Sequence, residues 1–252
     1  MHDAPQTPQL PQLRPPDQPT LPTTKPELNE LFGFMAEAEL RFESLRMRIV
    51  DKRITTHGPE TETHDIWLRH PRHAKVVSTR GDARERDFDV WTSDGEQVRT
   101  YDAKGNTATL RRMPTAPVGV DDRELPSFAR IYLPVTALPA ESLADTFIHP
   151  NGFCRNVLGT GVVSRRGTTE IAGREVILLR CDHPRTSHVL TDRPDHWLEV
   201  GIDMQTGMLV LLAEHVAEQM TRHAQVTSIA LDEPIQDEAF KLHISADTRT
   251  LY

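Results

Sequence analysis

Phe88-Asp89-Val90-Trp91-Thr92-Ser93-Asp94-Gly95-Glu96-Gln97-Val98-Arg99-Thr100-Tyr101-Asp102-Ala103-Lys104-Gly105-Asn106-Thr107-Ala108-Thr109-Leu110-Arg111 is the stretch whose reading decides the fold. Phe88, Val90 and Thr92 alternate with Asp87, Asp89 and Trp91. Side chains of a strand point to opposite faces in turn, so this period of two reads as a half-buried strand. Ser93-Asp94-Gly95 is a hairpin turn signal, because glycine after aspartate takes the positive φ that a tight turn needs. Val98 to Tyr101 is a second strand, Lys104-Gly105-Asn106 a second turn, and Thr107 to Arg111 a third strand.

The same rhythm extends upstream. Leu45, Met47 and Ile49 alternate with Arg46 and Arg48, and His57-Gly58-Pro59 makes a turn. Thr61 to Leu68 carries Trp67, and Lys75 to Ser78 is short and β-branched. About six strands thus follow one another with short connections and no helical pattern between them, which favours an antiparallel meander over a parallel sheet. Downstream, Pro114, Pro117, Pro126, Pro134, Pro139 and Pro150 punctuate residues 113–160. Leu125 to Leu133, Ala140 to Ile148 and Phe153 to Leu158 are read there as short helices laid over the sheet. Strands resume at 161–170, with a turn at Ile171-Ala172-Gly173. Val176 to Leu179 form an apolar run suited to a buried strand. Trp197 to Asp203, Met208 to Val216 and Thr221 to Leu231 follow, and Pro234 to Phe240 reads as a closing turn or short helix.

Ahead of the first strand, Leu28, Leu31, Phe32, Met35, Ala38, Phe42 and Leu45 recur at spacings of mostly three and four. That stripe predicts an amphipathic helix of about five turns, capped by Thr24 with Pro26 in its first turn. Residues 1–24 interleave seven prolines with Gln and Thr. Proline removes donors and fixes φ, so this is expected to be a disordered, polyproline-like tail. The expectation is therefore an α+β chain: the tail at 1–24, then one domain over 25–252, built on a curved antiparallel β-sheet with a long N-terminal helix and short helices over it.

The 252 residues, 37% hydrophobic and 26% charged, are enough for a sizeable core. A net charge of −8 without a basic face argues against nucleic acid as a partner. No stretch approaches the roughly 20 apolar residues that span a bilayer, and no signal peptide is visible at the start. That leaves a cytoplasmic chain and an exported one with its signal removed as two open readings. Cys154 and Cys181 allow either a disulfide or two buried thiols, and no CxxC pair is present for a zinc site.

Chemistry-bearing motifs are scarce. His183, His188 and His196 lie near Asp182, Asp192 and Asp195, but their spacing matches no metal-ligand pattern, and a polar hairpin connection is the better reading. His70 and His73 flank Pro71-Arg72 and are expected to be solvated turn residues. There is no G-x-S-x-G elbow, G-x-G-x-x-G or P-loop, and Cys154 has no nucleophile signature. Asp121-Asp122 and Glu141 read as surface carboxylates. No catalytic residue, metal or cofactor is assigned. Trp67, Trp91 and Trp197 each fall in a separate strand, where they serve either as core or as lining for a concave apolar surface.

Several segments resemble the LolA-like lipoprotein-carrier superfamily, which includes the MucB/RseB-type sigma-factor regulators. Phe42-Glu43-Ser44-Leu45-Arg46-Met47 resembles its helix-to-strand entry. Residues Trp67 to Val76, with Pro71 in their turn, resemble its strand leading into a basic-apolar strand. Trp91-Thr92-Ser93-Asp94-Gly95 and the run Trp197 to Gly207, with its Asp-x-x-Thr-Gly turn, resemble two of its hairpins, and Ala239-Phe240 its closing segment. The likeness spans roughly residues 27–245. It implies a half-barrel whose concave face is covered by helices, holding a lipid, an acyl chain or a lipoprotein moiety in an apolar cavity. A regulatory module that binds a peptide of a membrane-anchored protein partner is the alternative. On that reading the cavity is lined by Phe32, Met47, Trp67, Trp91, Leu133, Phe147, Phe153, Leu179, Trp197 and Leu211. The family's usual place implies an extracytoplasmic location in the cell envelope.

Overall fold

The structure, a computed structural model, describes residues 26–81, 87–113, 134–184, 195–244 and 247–251. The expected tail at 1–24, the expected helix at 125–133, Leu133, His188 and Asp192 lie outside these residues. Twelve strands form one open, curved sheet in the order β12-β6-β5-β4-β3-β2-β1-β11-β10-β9-β8-β7. The strands are β1 (Ser44–Thr55), β2 (Gly58–Arg69), β3 (His73–Arg80), β4 (Phe88–Ser93), β5 (Gln97–Asp102) and β6 (Thr107–Arg112), then β7 (Val162–Ile171), β8 (Arg174–Asp182), β9 (His196–Asp203), β10 (Leu209–Val216), β11 (Gln219–Leu231) and β12 (Arg249–Leu251). The first six make one antiparallel meander and β7 to β11 make a second. Antiparallel pairing of β1 with β11 joins the two, with Ile49 opposite Val226. The short β12, which the sequence did not suggest, pairs parallel to β6.

Strand phase places the core. Leu45, Met47 and Ile49 of β1 stand beside Leu68, Ile66 and His64 of β2, while Arg46 and Arg48 of β1 point the other way and are exposed. Helices α2 (Leu143–Ile148) and α3 (Asn151–Asn156) lie over this apolar face, where Phe147 and Ile148 are fully buried. The Ser142 side chain accepts from Asp145 N at 3.1 Å, satisfying a free donor in the first turn of α2.

The five-turn N-terminal helix is not formed. Helix α1 spans only Leu28–Ala36, a 3₁₀ turn covers Ala38–Arg41, and Phe42 is extended. The apolar stripe is kept, since Leu31, Met35, Ala38 and Phe42 are all buried, but the backbone changes beneath it. Arg41 provides the reason. Its guanidinium lies 3.8 Å over the Phe34 ring and donates to the Phe34 carbonyl at 2.7 Å and to the Thr206 carbonyl at 3.1 Å. The helix end is thereby tied to the β9–β10 turn.

That turn is itself tightly held. Asp203 is 1% exposed, accepts Arg174 Nε at 3.1 Å and Nη2 at 2.8 Å, and caps Thr206 N at 2.9 Å. Gly207 has φ +84°, and a Cβ there would sit 2.9 Å from the Phe34 carbonyl oxygen. Gly207→Ala should destabilise the chain by more than about 1 kcal/mol, from backbone strain and the clash with α1 together. Urea titration should show a lower midpoint with an unchanged slope.

Candidate functional site

The inner phase of the sheet changes character along its strands. Past Leu45, Met47 and Ile49 the next inward residues of β1 are Asp51 and Arg53. Past Leu68 and Ile66, β2 turns in His64 and Glu62. β11 follows Val226 and Ala224 with Arg222, and β10 follows Leu212 with Glu214. A charged floor therefore continues the apolar core. Arg222 holds Asp51 with two parallel hydrogen bonds, 3.0 Å from Nε and 2.9 Å from Nη2, and Asp51 is 1% exposed. Arg53 Nε lies 3.2 Å from the same carboxylate, and its Nη2 donates to Glu62. Arg80 reaches Glu62 at 3.3 Å. Burial works against the charge of Arg222, but the hydrogen bond and attraction of Asp51 outweigh it and raise its pKa further. Burial dominates at His64 and lowers its pKa, and His64 Nδ1 lies 2.8 Å from Ser78 Oγ.

Above this floor, α2 and α3 leave a hollow of about 610 Å³. Leu143, Phe153 and Val157 form its roof, Leu198 and Leu212 the apolar part of its base, and Asp51, Arg53, Glu62, His64, Glu214 and Arg222 the polar part. A second hollow of about 530 Å³ lies beside it, and both are lined by Asp145, His149, Gly152 and Asn156.

His149 anchors this cover. Its Nδ1 is 2.9 Å from Asp145 Oδ1 and its Nε2 is 3.1 Å from Glu39 Oε2 of the 3₁₀ turn after α1. Val135 N donates to Glu39 at 2.9 Å. Burial opposes charge on His149, yet hydrogen bonds to Asp145 and Glu39 and their attraction prevail and raise its pKa to about 9. The imidazolium thus ties the α1 turn, the 134–138 segment and α2 together. His70 is not the solvated turn residue expected. It is 9% exposed, with Nδ1 2.8 Å from Thr136 Oγ1 and its ring 5.0 Å from that of Phe42, and burial lowers its pKa to about 4.

The residues picked out from the sequence fall in different places. Phe153 lines the larger hollow. Met47, Phe147 and Leu179 are buried in the core, and Phe32 and Trp91 pack against it. Leu211 is buried, but it stands opposite Gly201 in the phase of Trp197. Trp67 lies across from Arg46 and Lys75 on the opposite face, and Trp197 is stacked between His215 at 3.7 Å and Arg180 at 4.1 Å. The charged floor was missed, although its signal was present: Asp51 is in phase with three core residues of its own strand.

The disulfide reading does not hold, because both cysteines are free and buried. Cys154 Sγ faces Met35 Sδ at 3.7 Å, while a Cβ on Gly161 would press on Cys181 Sγ. Burial pushes the two thiols up to about 12 and about 11, so neither is a thiolate nucleophile at neutral pH. His183 N donates to the His196 carbonyl at 3.1 Å, a hairpin-like closure of β8 and β9. Among the described residues no group of three His, Cys, Asp or Glu could hold a metal, and no helix is long and apolar enough to cross a membrane.

Fold and site together define an open, mostly antiparallel sheet with a helical cover over a half-apolar, half-charged hollow. No family model and no curated protein matches the chain. Among solved structures it is similar to MucB, at 16% identity and a TM-score of 0.49, over 88% of this chain and 64% of that one. It is also similar to the Mycobacterium tuberculosis lipoprotein LppX, at 12% identity and 0.43, over 83% and 99%. A LolA superfamily protein from Nitrosomonas europaea matches at 7% and 0.33, over 85% and 97%. The chain thus spans about two thirds of the MucB chain, just under that share. These likenesses concern the outline of the fold.

The His149 contacts set a pH dependence. Its folded pKa lies above the ordinary 6.5, so its contribution is complete below 6.5 and is lost as pH rises through about 9. The unfolding free energy should fall over that window by on the order of 3 kcal/mol. The two thiols add to the loss only above it. His149→Gln should flatten the profile between pH 6.5 and 9, measured by urea unfolding at each pH.

Proposed function

We propose that this chain is a non-catalytic binding protein of the cell envelope that holds a lipid, acyl chain or lipoprotein moiety between its sheet and the α2–α3 cover. The observation that carries this reading is the hollow of about 610 Å³ under α2 and α3. Its size falls within the roughly 300–1,000 Å³ of small-molecule sites, and its walls join apolar surface to a few convergent polar groups. Phe153, Val157 and Leu143 face Leu198 and Leu212 across it, so an alkyl segment would be wrapped on both sides. Each methylene removed from water contributes about 0.8 kcal/mol, which is enough to hold a medium chain without any covalent step. The charged floor supports a holding role too. Asp51 and Glu62 are engaged by arginines, and an acid or base so engaged is poorly placed to move a proton. The resemblance set out above supports an extracytoplasmic location.

A second reading, a regulatory module that binds a peptide of a membrane-anchored partner, is favoured by the outer strand β7. It ends the sheet with a ten-residue edge on which Val162 is 65% exposed. Such an edge can accept an added strand.

The acyl reading is tested with a fluorescent fatty acid. The probe should bind the chain saturably, and Phe153→Ala, which removes half-buried roof surface, should weaken it by about tenfold. Native mass spectrometry of protein from a bacterial host should show co-purified lipid. If the probe fails to bind and no lipid is carried while a stoichiometric protein partner is recovered, the regulator reading replaces this one.

A further inference from the structure

We infer that β6 is an acceptor edge for an acidic peptide of a partner protein, which pairs along Thr107–Arg112 as an added strand and takes the place of β12. This goes beyond both readings above. It concerns the end of the sheet opposite β7 and rests on neither the hollow nor that edge.

The backbone of β6 comes first. It pairs with β5 in unbroken register from Gln97–Arg112 to Asp102–Thr107, so its other side presents a regular run of donors and acceptors. β12 covers only half of that run, with Arg249, Thr250 and Leu251 beside Thr107, Ala108 and Thr109. Leu110, Arg111 and Arg112 have no strand beside them among the described residues, and all three are exposed. The β7 edge differs, because an extra residue between Arg165 and Gly167 breaks its register, and a bulge interrupts pairing.

Charge is the second observation. The chain has 37 acidic residues against 29 lysines and arginines, yet Arg111 and Arg112 have no carboxylate partner among the described residues. Other strand arginines do: Arg48, Arg80, Arg174, Arg180 and Arg222 each hold an aspartate. Arg111 stands opposite Val98 and Arg112 opposite Gln97, neither of which carries charge. Successive residues of a strand face opposite ways, so the pair presents one guanidinium on each side of the sheet. A guanidinium binds a carboxylate through two parallel hydrogen bonds. An extended segment with two successive carboxylates meets one guanidinium on each face. A second copy of this chain does not fit, since antiparallel pairing through residues 110–112 sets Arg111 against Arg111, and like charges directly opposite are destabilising.

The strand now on this edge is lightly held. β12 has three residues, all exposed, in a parallel contact, which is slightly weaker per residue than an antiparallel one. Asn106 fixes its position. The Asn106 carbonyl accepts from Arg249 N at 3.0 Å, its Nδ2 donates to the Asp247 carbonyl at 3.3 Å, and its Oδ1 accepts from Thr248 Oγ1 at 3.0 Å. A strand spanning all of β6 pairs with six residues in place of three. Asn106 has φ +47°, so Asn106→Gly keeps the turn while removing both side-chain contacts to the segment before β12.

The experiment uses the full chain and fluorescein-labelled peptides of the sequence Thr-Val-Thr-Glu-Glu-Val-Thr-Val, with Gln-Gln or Lys-Lys at the centre as controls, measured by fluorescence anisotropy at pH 7. A fourth peptide keeps Glu-Glu but has proline in place of both valines, which removes backbone donors from the added strand. The Glu-Glu peptide should bind about tenfold more tightly than Gln-Gln, with Lys-Lys and the proline peptide weakest. The double substitution Arg111→Gln, Arg112→Gln should bring Glu-Glu down to the Gln-Gln level. Asn106→Gly should tighten both by about fivefold, because β12 competes less. Equal binding of Glu-Glu and Gln-Gln, or tightest binding of Lys-Lys, overturns the acidic partner. Equal binding of the proline peptide overturns strand addition. An advantage that survives the double substitution overturns the assignment to β6. Asn106→Gly without tighter binding overturns the displacement of β12. Failure of every peptide to bind overturns the proposal and leaves the readings of the hollow and of β7 as they stand.

Discussion

The pairing of β1 with β11 makes one sheet out of two. Among the described residues, every other antiparallel contact joins strands adjacent in sequence, so each meander could close locally. The β1–β11 seam joins residues some 180 positions apart, with Leu45 opposite Leu231 at one end and Arg53 opposite Arg222 at the other. Its apolar half is Ile49 against Val226. Its polar half is Asp51, almost fully buried and held by both nitrogens of a guanidinium fork from the neighbouring strand. Removing one partner of a buried pair leaves an uncompensated charge, at roughly 3–5 kcal/mol. An apolar seam tolerates a slip of two residues, whereas a bidentate pair does not. The bulge at Thr227, where the register steps from Arg48–Ser228 to Ile49–Val226, sits beside this pair and keeps Val226 and Ala224 on the inner face.

Much of this sheet was legible because hairpins are local. Ser93-Asp94-Gly95 and Ile171-Ala172-Gly173 state their turns outright, and Gly95 and Gly173 do take positive φ. Two meanders split by short helices also followed from spacing, as α2 and α3 show. The long helix failed because the stripe from Leu28 to Leu45 reports only which side chains are buried. A helix, a 3₁₀ turn and a strand in succession bury the same positions, and the choice was made by Arg41 bonding to Thr206, far away in sequence. β12 escaped notice for a similar reason, since a three-residue strand carries no period. Trp67 and Trp197 misled, while Trp91 does pack against the core, because an aromatic in a strand says nothing about which face it takes. The phase of its neighbours does: Trp67 is out of step with Ile66 and Leu68.

The cover and the sheet are coupled through few contacts. α1 is held at its end by Arg41 and beside the cover by the sulfur pair Met35–Cys154. Glu39, just past α1, is the common partner of His149 and Val135. One buried carboxylate thus positions the start of the cover and the end of α2, its first helix. The neutral His70 packs close to this network on Phe42, and protonating it would place a second positive charge near His149. The cover is therefore fastened by electrostatics at one margin and by Phe147 and Ile148 at its centre.

A hollow of this size needs a reason to exist. The hollow is half open to solvent, so its walls must suit water wherever a ligand does not cover them. The inner phase of β1, β2, β10 and β11 meets that need by turning from leucine and isoleucine to Asp51, Arg53, Glu62, Glu214 and Arg222 just where the cover lifts away. Charges locked to one another cannot fold inward, and they keep that half of the hollow compatible with water. The apolar half, between Phe153 and Leu212, then needs only an alkyl segment to fill it. A molecule with one end of each kind matches both halves, which is why the charged floor belongs to the binding reading and is more than a fault in an otherwise apolar core.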